Sequence, residues 1–421
     1  MIPQHLITKA EAAFEAALKA AAPDRVMAKA LTRLDLPPTR IMALGKAAGP
    51  MAQACHDAGL MAPGVMVTHD PNQQVDGFDI IIGGHPVPNE NSMQGAHKMM
   101  EAARALNEDD HLLMLVSGGG SALSCLPGEG LTLADKIAIN ERLLASGLDI
   151  HAMNAVRRFC SGIKGGRLAR AAQPARVTQW VLSDVPASGD MATDLAAIAS
   201  GPMAPDPVPE AVMLDFLKRA GLMELDAIKS YLAAIEAHPE NKPCRLGDAV
   251  FDRVATEILA SNEICREAAA QSLGGNTCAL PELSGEAAAM GRQLAEIIAQ
   301  SQSPIQAATG GETVVTFASS ATSGKGGRSQ ELALSFLMAM TEKAEASSCD
   351  WVLLAAGTDG RDGPTDAAGA LVHSGMAVDH QQGLEALKSH DSYPYLDQLG
   401  ALIKMPPTGT NLADIAILCS A

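Results

Sequence analysis

The sequence is poor in aromatic residues and in long apolar runs. Aromatic residues make up only 3% of the chain, so the core must be built from Leu, Val, Ile, Met and Ala, which favours helix-covered sheets over an aromatic-rich β-sandwich. No run of about 18 or more apolar residues occurs, and the sequence therefore predicts no membrane-spanning helix. Residues 1–23 have the pattern of an amphipathic helix rather than that of a signal peptide.

Cysteine pairs at metal-binding spacing are also missing. The eight cysteines are scattered along the chain without a CxxC motif, so neither a disulfide framework nor a zinc site is expected. Because a signal-peptide pattern is missing as well, we predict a reduced, cytoplasmic protein.

Positive charge is in short supply. The 31 basic and 48 acidic residues give a net charge of −17, which is the opposite of the balance typical of nucleic-acid-binding proteins. We therefore expect a small-molecule ligand and neither nucleic acid nor a membrane as partner; a homo-oligomer is left open. An anionic substrate would need a local group of cations within this acidic chain.

Apolar strand patterns that alternate with helical patterns dominate the chain from about residue 39 onward. In the first half, they predict strands at 40–45, 64–69, 78–84, 111–118 and 177–185. Nearly continuous apolar strands of this kind are typical of a parallel sheet covered by helices on both faces. The first half is therefore predicted to be a Rossmann-like, doubly wound α/β domain.

A proline-rich segment at 201–211 precedes a second series of strands and helices. Strands are predicted there at 255–261, 277–283, 305–311, 313–318, 351–357 and 414–420. Because 313–318 follows its predecessor too closely for a helical crossover, we expect a hairpin or a mixed sheet. The sequence thus predicts two α/β domains, 37–205 and a second formed by 1–36 with 206–421, and an active site in the cleft between them.

Polar residues that follow the predicted strands form the candidate site, because ligands of open α/β sheets bind at the carboxyl ends of strands. Lys46, in GKAAG, lies at a strand-to-helix turn, which is a natural place for an anion. The SGGGS segment follows strand 111–118, and its glycines allow a ligand to approach consecutive backbone N–H groups. It matches neither dinucleotide nor P-loop motifs. Its candidate binding residues are Ser117, Gly118, Gly119, Gly120 and Ser121.

The segment that follows contains the densest basic patch of the chain and an aspartate-rich loop. Asn154 and Arg157 are candidates for holding a carboxylate or a phosphate, although a single helix cation is more often simply solvated. Asp190, in SGDMATD, could accept a proton from a hydroxyl group. It could equally cap a helix, and the sequence leaves both roles open.

The second half adds further strand-end loops. GGETVVTF carries Glu312, GKGGRSQEL carries Lys325 and Arg328, and GTDGRDGPTD carries Asp359. Cations, hard oxygen ligands and glycine-rich loops at strand ends are the components of phosphoryl transfer.

Several of these motifs are long and specific. ALGKAAGPMA, LVSGGGSAL, SDVPASGDMATDLAAIASGP, GKGGRSQELAL and GTDGRDGPTDAAGA resemble those of the class II glycerate kinases, which are glycerate 2-kinases with a C-terminal MOFRL region, here at about 305–415. The resemblance runs in order over nearly the whole chain. Some members of the family are labelled hydroxypyruvate reductase.

The resemblance implies ATP-dependent phosphorylation of D-glycerate at its 2-hydroxyl, with Mg²⁺. It implies that Lys46, Asp190 and Arg328 are catalytic. On this hypothesis Asp190 accepts the hydroxyl proton, Lys46 and Arg328 balance phosphoryl charge, and Glu312 or Asp359 reaches the metal.

Two other functions were weighed against this one. An NAD(P)H-dependent hydroxypyruvate reductase would need a dinucleotide-binding fingerprint, which the sequence lacks. A non-catalytic sensor of a sugar acid or nucleotide would not need so many acids and cations at strand ends. Whether SGGGS holds a nucleotide phosphate or the glycerate carboxylate stays open at this stage.

Overall fold

Apolar runs of five to eight residues form the strands of two separate sheets. The computed structural model describes residues 2–185, 189–317, 324–343 and 349–421. The chain divides into a parallel-sheet unit, Val26–Leu259, and an antiparallel-sheet unit, Met1–Arg25 with Ala260–Ala421. The strands are β1 Arg40–Leu44, β2 Gly64–Thr68, β3 Phe78–Ile82, β4 His111–Ser117, β5 Arg176–Ser183, β6 Val254–Ser261, β7 Gln306–Gly311, β8 Trp351–Gly357, β9 Gly369–His373, the short β10 Leu402–Ile403, and β11 Asp414–Ser420.

Helices occupy most of the segments between the strands. They are α1 Gln4–Ala21, α2 Pro23–Leu31, α3 Ala48–Asp57, α4 Glu90–Arg104, α5 Gly120–Leu123, α6 Leu133–Ala145, α7 Ile150–Phe159, α8 Arg167–Ala171, α9 Met191–Ala197, α10 Glu210–Arg219, α11 Asp226–Ala237, α12 Asn262–Ser272, α13 Ala287–Gln300, α14 Arg328–Glu342, α15 His380–Lys388 and α16 Ser392–Gln398. Within the part of the chain that the structure covers, none of them is long and apolar enough to cross a bilayer.

The sheet of the parallel-sheet unit has the strand order β3-β2-β1-β4-β5-β6. The pairs β1–β2, β2–β3, β1–β4 and β4–β5 are all parallel. Every residue of β2 and β4 is buried, as expected of strands with helices on both faces. The prediction of a parallel α/β sheet is confirmed. Its order places the carboxyl ends of β1 and β4 side by side.

The loop between β3 and α4 is fixed by a reciprocal cap. The Asn89 side chain accepts a hydrogen bond from the Ser92 backbone N–H, and the Ser92 hydroxyl accepts one from the Asn89 N–H. The Gly84 N–H donates to both side chains, at 3.0 and 2.9 Å. This cap explains the NENS sequence and ties Gly84, the residue before His85, to the start of α4.

The parallel-sheet unit extends beyond the predicted boundaries of 37 and 205. The segment after the proline-rich stretch forms α10 and α11, whose apolar faces share one core cluster with α6 and α7. Tyr231 of α11, for example, packs edge-on against Phe159 of α7, with ring centroids 5.5 Å apart. β6 then completes the sheet. The proline-rich segment is therefore a connection inside the unit rather than the domain boundary that the sequence suggested.

The sheet of the antiparallel-sheet unit has the order β10-β9-β8-β11-β7. Among the described residues of this unit, all four strand pairings are antiparallel, and parallel pairing occurs only as isolated bridges of Leu283 with Gly311 and of Glu286 with Val314. The expected mixed sheet is therefore corrected to an antiparallel one. Two predicted strands do not form, 277–283 and the described part of 313–318, because these segments contribute only those isolated bridges.

Helix α14 is the centre of the second core. Each residue from Ser329 to Met340 is buried, and Phe336 lies edge-on to Trp351 with ring centroids 5.2 Å apart. α13 approaches α14 closely at Gly291, where a Cβ atom would lie 2.3 Å from the Leu332 carbonyl oxygen. This packing fixes the start of α14, which carries a candidate site residue.

We expect Phe336→Ala to lower the free energy of unfolding by about 3–5 kcal/mol, because it removes a fully buried ring and leaves a cavity. Phe336→Leu should cost less, since most of the volume is kept. Urea denaturation followed by fluorescence would measure both. Leu384→Ala, on exposed α15 surface, is the matched control. Equal effects of Phe336→Ala and the control would contradict this account.

Candidate active site

The turn between β1 and α3 is fitted directly onto the end of β4. Gly45 has φ +123°, and a Cβ atom on it would lie 2.3 Å from the Ser117 hydroxyl oxygen, so only glycine is accommodated. The Lys46 N–H donates to the Gly118 carbonyl at 2.9 Å, and the Ala47 N–H donates to the Ser117 hydroxyl at 3.0 Å. The structure therefore brings two predicted segments together, GKAAG and SGGGS.

A glutamine that the sequence reasoning missed secures the other side of this turn. Gln73 donates from Nε2 to the Lys46 carbonyl at 3.1 Å. Its Oε1 accepts from the Gly49 N–H at 3.0 Å and from the Thr68 hydroxyl at 2.8 Å. The first turn of α3 is thus held by a side chain from the loop after β2, for which the sequence offers no motif.

Each glycine of SGGGS lies against a different group. A Cβ on Gly118 would lie 2.1 Å from Oδ2 of Asp184, and one on Gly120 would lie 2.7 Å from the Ala199 side chain. Gly119 has φ +83°, and its Cβ would lie 3.1 Å from Cγ of Lys46 and 3.2 Å from Cδ2 of His85. The loop is thus packed tightly, and Lys46 and His85 flank its middle glycine.

Two histidines beside Lys46 were not predicted as site residues. His69 and His85 have ring centroids 6.2 Å apart. Burial and the Lys46 charge lower the pKa of His69. Burial, Lys46 and His69 together lower the pKa of His85 to about 4. Both rings are therefore neutral at pH 7, and Lys46 is the charged member of the group.

The basic patch after the loop is organised by amide side chains. Arg157 donates from Nη1 to the Asn154 side chain at 3.0 Å, and from Nε and Nη2 to Oδ1 of Asn140 at 2.9 and 2.6 Å. Burial lowers the pKa of Arg157. The two predicted residues of this patch contact each other. Because the asparagine side chains are neutral, these hydrogen bonds do not balance the positive charge of Arg157.

Asp190 is the N-cap of α9. Its Oδ2 accepts from the Thr193 N–H at 3.2 Å and from the Thr193 hydroxyl at 2.5 Å, and these bonds lower the pKa of the carboxyl group. The capping role left open by the sequence is confirmed, while the catalytic role stays a prediction. Residues 186–188 of the same loop lie outside the described residues.

In the antiparallel-sheet unit, Arg328 is held by two carboxylates. Its Nε and Nη2 donate to the two oxygens of Asp414 at 2.6 and 3.2 Å, and Nη1 bonds to Glu312. Although burial works against the charged guanidinium, Asp414 and Glu312 raise the pKa of Arg328. Burial raises the pKa of Asp414 to about 7, against the pull of Arg328. Asp414 lies at the end of PTGTNLAD but was not singled out from the sequence.

The start of α14 already carries an anion. The carboxylate of Asp362 accepts from the N–H groups of Ser329 and Gln330 at 3.1 and 2.8 Å. Burial raises the pKa of Asp362 although these bonds favour its charged form. The glycines of GKGGR therefore do not present this helix end to a phosphate. A Cβ on Gly327 would lie 2.3 Å from Cγ of Asp362, which explains the glycine there.

Lys325 is positioned by an aromatic ring. Its Nζ lies 3.7 Å from the centroid of Tyr393, a cation–π contact. Its backbone N–H donates to Oδ1 of Asp391 at 2.6 Å. Tyr393 in turn donates from its hydroxyl to Asp366 at 2.5 Å. The predicted binding residue Lys325 is therefore already partnered within its own unit.

The predicted metal ligands do not form a cluster. Glu312 is engaged with Arg328, and Oδ1 of Asp359 accepts from the Arg361 N–H at 2.9 Å. Among the residues that the structure describes, no group of three or more His, Cys, Asp or Glu side chains could hold a metal ion. Metal binding by Glu312 and Asp359 stays a prediction.

A cavity of about 760 Å³ opens beside Arg328, which is large enough for a small-molecule ligand. Phe317 and His390 lie edge-on in its wall, with ring centroids 5.0 Å apart. Its lining residues are Val315, Phe317, Gly324, Gly326, Gly327, Arg328, Glu331, Asp359, Arg361, Asp362, Gly363, Pro364 and His390.

We expect Asp414→Asn to lower the free energy of unfolding by about 1–3 kcal/mol, because it removes the charged acceptor of two bonds from Arg328 in a buried place. Glu312→Gln should cost less than about 1 kcal/mol, because the Glu312 side chain is half-exposed and solvent screens the pair. Urea unfolding of both variants tests the difference. A larger loss in Glu312→Gln would show that Asp414 is not the main anchor of Arg328.

We expect Lys46→Met to raise the pKa of His85 from about 4, because a neighbouring positive charge is removed. The new pKa should stay below the ordinary 6.5, since burial is the larger cause. NMR titration of the imidazole resonances would measure it. Lys98→Met, which removes a surface ion pair with Asp79, is the control and should leave His85 unchanged. An unchanged pKa in Lys46→Met would mean that the Lys46 ammonium lies away from His85.

Comparison with known proteins agrees with this architecture. The chain matches a family described as a domain of unknown function (DUF4147) over residues 9–233 and the MOFRL family over residues 305–414. It is 36% identical to the D-glycerate 2-kinase of Thermotoga maritima, with 95% of each chain covered. A relative from Agrobacterium vitis that carries only the provisional name hydroxypyruvate reductase is also 36% identical, over 96% of this chain and 92% of its own.

A solved structure shows the same fold. The crystal structure of glycerate kinase from Thermotoga maritima superposes with a TM-score of 0.82 at 33% identity, and all of both chains is covered. Similarity of this extent in sequence and structure establishes the family. The chain belongs to the MOFRL-containing glycerate 2-kinases.

Proposed function

We propose that the protein transfers the γ-phosphoryl group of ATP to the 2-hydroxyl of D-glycerate, giving 2-phosphoglycerate and ADP. Family membership supports the reaction class. The observation that carries the proposal is the joining of GKAAG to SGGGS, where a charged Lys46 lies over the middle glycine of a tightly packed loop. A fixed cation beside a glycine loop suits a group that carries developing negative charge.

Lys46 acts as an electrostatic stabiliser in this proposal. Its backbone N–H is bonded to Gly118 and its carbonyl to Gln73, so the backbone from which the side chain extends is fixed. The neutral rings of His69 and His85 beside it bring no competing positive charge. Phosphoryl transfer depends on positioning and charge stabilisation more than on covalent chemistry, and Lys46 would supply both.

Asp190 orients the 2-hydroxyl and accepts its proton. Its bonds to Thr193 keep the carboxylate ionised and fix its orientation at the start of α9. One carboxylate oxygen, Oδ2, accepts both bonds from Thr193. The ionised Asp190 carboxylate would receive the substrate proton.

Arg328 neutralises phosphoryl charge. The two-point bond to Asp414 fixes the guanidinium plane. The half-exposed Glu312 occupies Nη1 and would be displaced when a phosphoryl oxygen binds there. Replacing the Glu312 carboxylate by a phosphoryl oxygen costs less free energy than leaving Arg328 without any anion. The contact with Glu312 therefore keeps the guanidinium ready for its ligand.

ATP and Mg²⁺ are the cofactors that the proposed reaction requires. The described residues do not form a preformed metal site. Mg²⁺ commonly binds through substrate phosphates and one or two carboxylates, for which Asp359 in the cavity wall and Glu312 are the candidates. We further propose a cytoplasmic location, which fits the missing disulfides among the described residues.

The reductase and the sensor make different predictions. A reductase would oxidise NADH or NADPH with hydroxypyruvate, whereas the kinase would not. A sensor would be stabilised by ligand without forming product. Detection of 2-phosphoglycerate by ³¹P NMR, together with coupled measurement of ADP, separates all three and also distinguishes phosphorylation at the 2-hydroxyl from that at the 3-hydroxyl.

We expect Lys46→Met to lower kcat about 10²–10³-fold, as for loss of one charge-stabilising donor, and Asp190→Asn to lower it about 10²–10⁴-fold through loss of the base. Asparagine keeps the helix cap, so Asp190→Asn should remain folded. The matched control is Asp149→Asn, at the N-cap of α7, which should leave kcat unchanged. Wild-type turnover in either site variant would overturn the assigned roles.

A further inference from the structure

A buried lysine lies beneath the glycine loop. Lys164 is 4% exposed, and its Nζ donates to the carbonyl and the hydroxyl of Ser121 at 2.6 and 2.8 Å. Ser121 is the last residue of SGGGS and is only partly buried. A charge this deep in a protein is costly unless something offsets it.

No carboxylate offsets it within the described part of the chain. Lys164, Lys136 and Arg157 all lack an ion pair there, and their hydrogen-bond acceptors are neutral: Ser121 for Lys164, the Arg157 carbonyl for Lys136, and two asparagines for Arg157. Lysines and arginines are almost never buried without a partner. Lys136 and Arg157 lie close enough to Lys164 to act on its charge, so the three cations together leave positive charge that a bound anion would balance.

The backbone at residues 199–200, which contacts the Ser121 hydroxyl, is strained. Ala199 and Ser200 have φ of 51° and 61°, which is unfavourable for residues with a Cβ atom, and both are buried. This conformation brings the Ser200 hydroxyl to 2.9 Å from the Ser121 hydroxyl. Strain of this kind persists where the surroundings enforce it, often at functional sites.

We propose that Lys164 is a positioning residue for the phosphoryl-transfer reaction, acting through the Ser121 hydroxyl so that this hydroxyl donates to an anionic group of the substrate at the SGGGS loop. The proposal rests on the kinase function proposed above and extends it to a residue that does not itself touch the substrate.

The protonation state of Lys164 decides the direction of the Ser121 proton. An ammonium group has no acceptor, so Ser121 must direct its own proton outward, to Ser200 or to a ligand. A neutral amine has a lone pair that can take the Ser121 proton instead. Burial, followed by Lys136, lowers the pKa of Lys164 to about 7. The groups that face its side chain are Ser121, Ser200, Cys125, Lys136, Arg157 and Arg158.

Binding of an anion is therefore coupled to a proton. The anion favours the ammonium form and raises the pKa of Lys164 in the complex, so affinity should fall as pH rises through 7 and above. The carboxylate of D-glycerate and a phosphate of ATP share this chemistry. The KM for each substrate, measured with the other saturating, shows which of them the loop holds.

The test is steady-state kinetics of D-glycerate phosphorylation between about pH 6 and 9.5. For the wild type we expect one of the two KM values to rise about tenfold or more across this range. Lys164→Met should show the high KM at every pH, with kcat changed much less. Lys164→Arg keeps its charge throughout and should retain a low KM at pH 9.

Lys136→Met is the control that distinguishes a positioning role of Lys164 from a merely structural one, because a structural role predicts no shift in the pH dependence of KM. It removes a neighbouring positive charge without touching Ser121, so the pH at which KM rises should move upward. Should Lys164→Met fail to fold, Ser121→Ala replaces it and should abolish the same pH dependence.

Two results would be decisive against Lys164. One is a folded Lys164→Met or Ser121→Ala variant that has wild-type KM values and a wild-type pH profile. The other is a Lys136→Met variant in which KM rises at the same pH as in the wild type. A wild-type protein that forms no phosphoglycerate at all would instead refute the kinase function. In that case, thermal stabilisation by ATP or by D-glycerate alone, compared in wild type and Lys164→Met across the same pH range, still tests the anion site.

Discussion

The contact between the ends of β1 and β4 is the constraint from which the candidate site follows. Neighbouring parallel strands end at the same edge of a sheet, and their outgoing loops compete for the same space. Here glycine allows the two loops to pack together. The backbone at Gly45 lies against the backbone at residues 117–118, and the Lys46 N–H donates to the Gly118 carbonyl. The position of Lys46, the neutrality of His85 and the burial of SGGGS all depend on this approach. A side chain at Gly45 would separate them, since its Cβ would lie 2.3 Å from the Ser117 hydroxyl oxygen.

The two units handle charge in opposite ways. Around Arg328, carboxylates outnumber the cation: Asp414 and Glu312 bind it, and Asp362 lies close enough to contribute to its electrostatic environment. Around Lys164, cations outnumber the acids that bind them, since among the described residues Lys164 and Arg157 bond to neutral groups. The first arrangement rigidifies a guanidinium and leaves one replaceable anion. The second leaves positive charge to be balanced by a ligand, in a protein whose net charge of −17 would otherwise repel one.

Local patterns in the sequence predicted what depends on local physics. Apolar period and strand length sufficed for β1, β2, β4 and β5. The rule that ligands bind at strand ends pointed to Lys46 and SGGGS, whose roles stay predictions. Contacts between distant segments could not be predicted in the same way. Gln73 lies in no motif, and Asp414 ends PTGTNLAD without standing out in it. The importance of both comes from the backbone groups and charges they meet. The boundary near 205 was misplaced because proline marks a break in local structure, whereas the core shared by α7 and α10 is a matter of tertiary packing.

The same distinction explains why Lys164 looked ordinary in sequence. In IKGGRLAR it resembles any helix-flanking lysine. Its role depends on burial, on the lack of a carboxylate partner in the part of the chain that the structure describes, and on the left-handed residues at 199 and 200. Each of the three features is unfavourable by itself: a buried charge, an unpaired charge and a strained backbone. All three converge on Ser121, and a fold optimised for stability alone would have removed at least one of them. An anion-binding role for the loop would explain why all three features are kept. A bound anion would offset the charge of Lys164, and it would join the hydrogen bonds that link Lys164, Ser121 and Ser200.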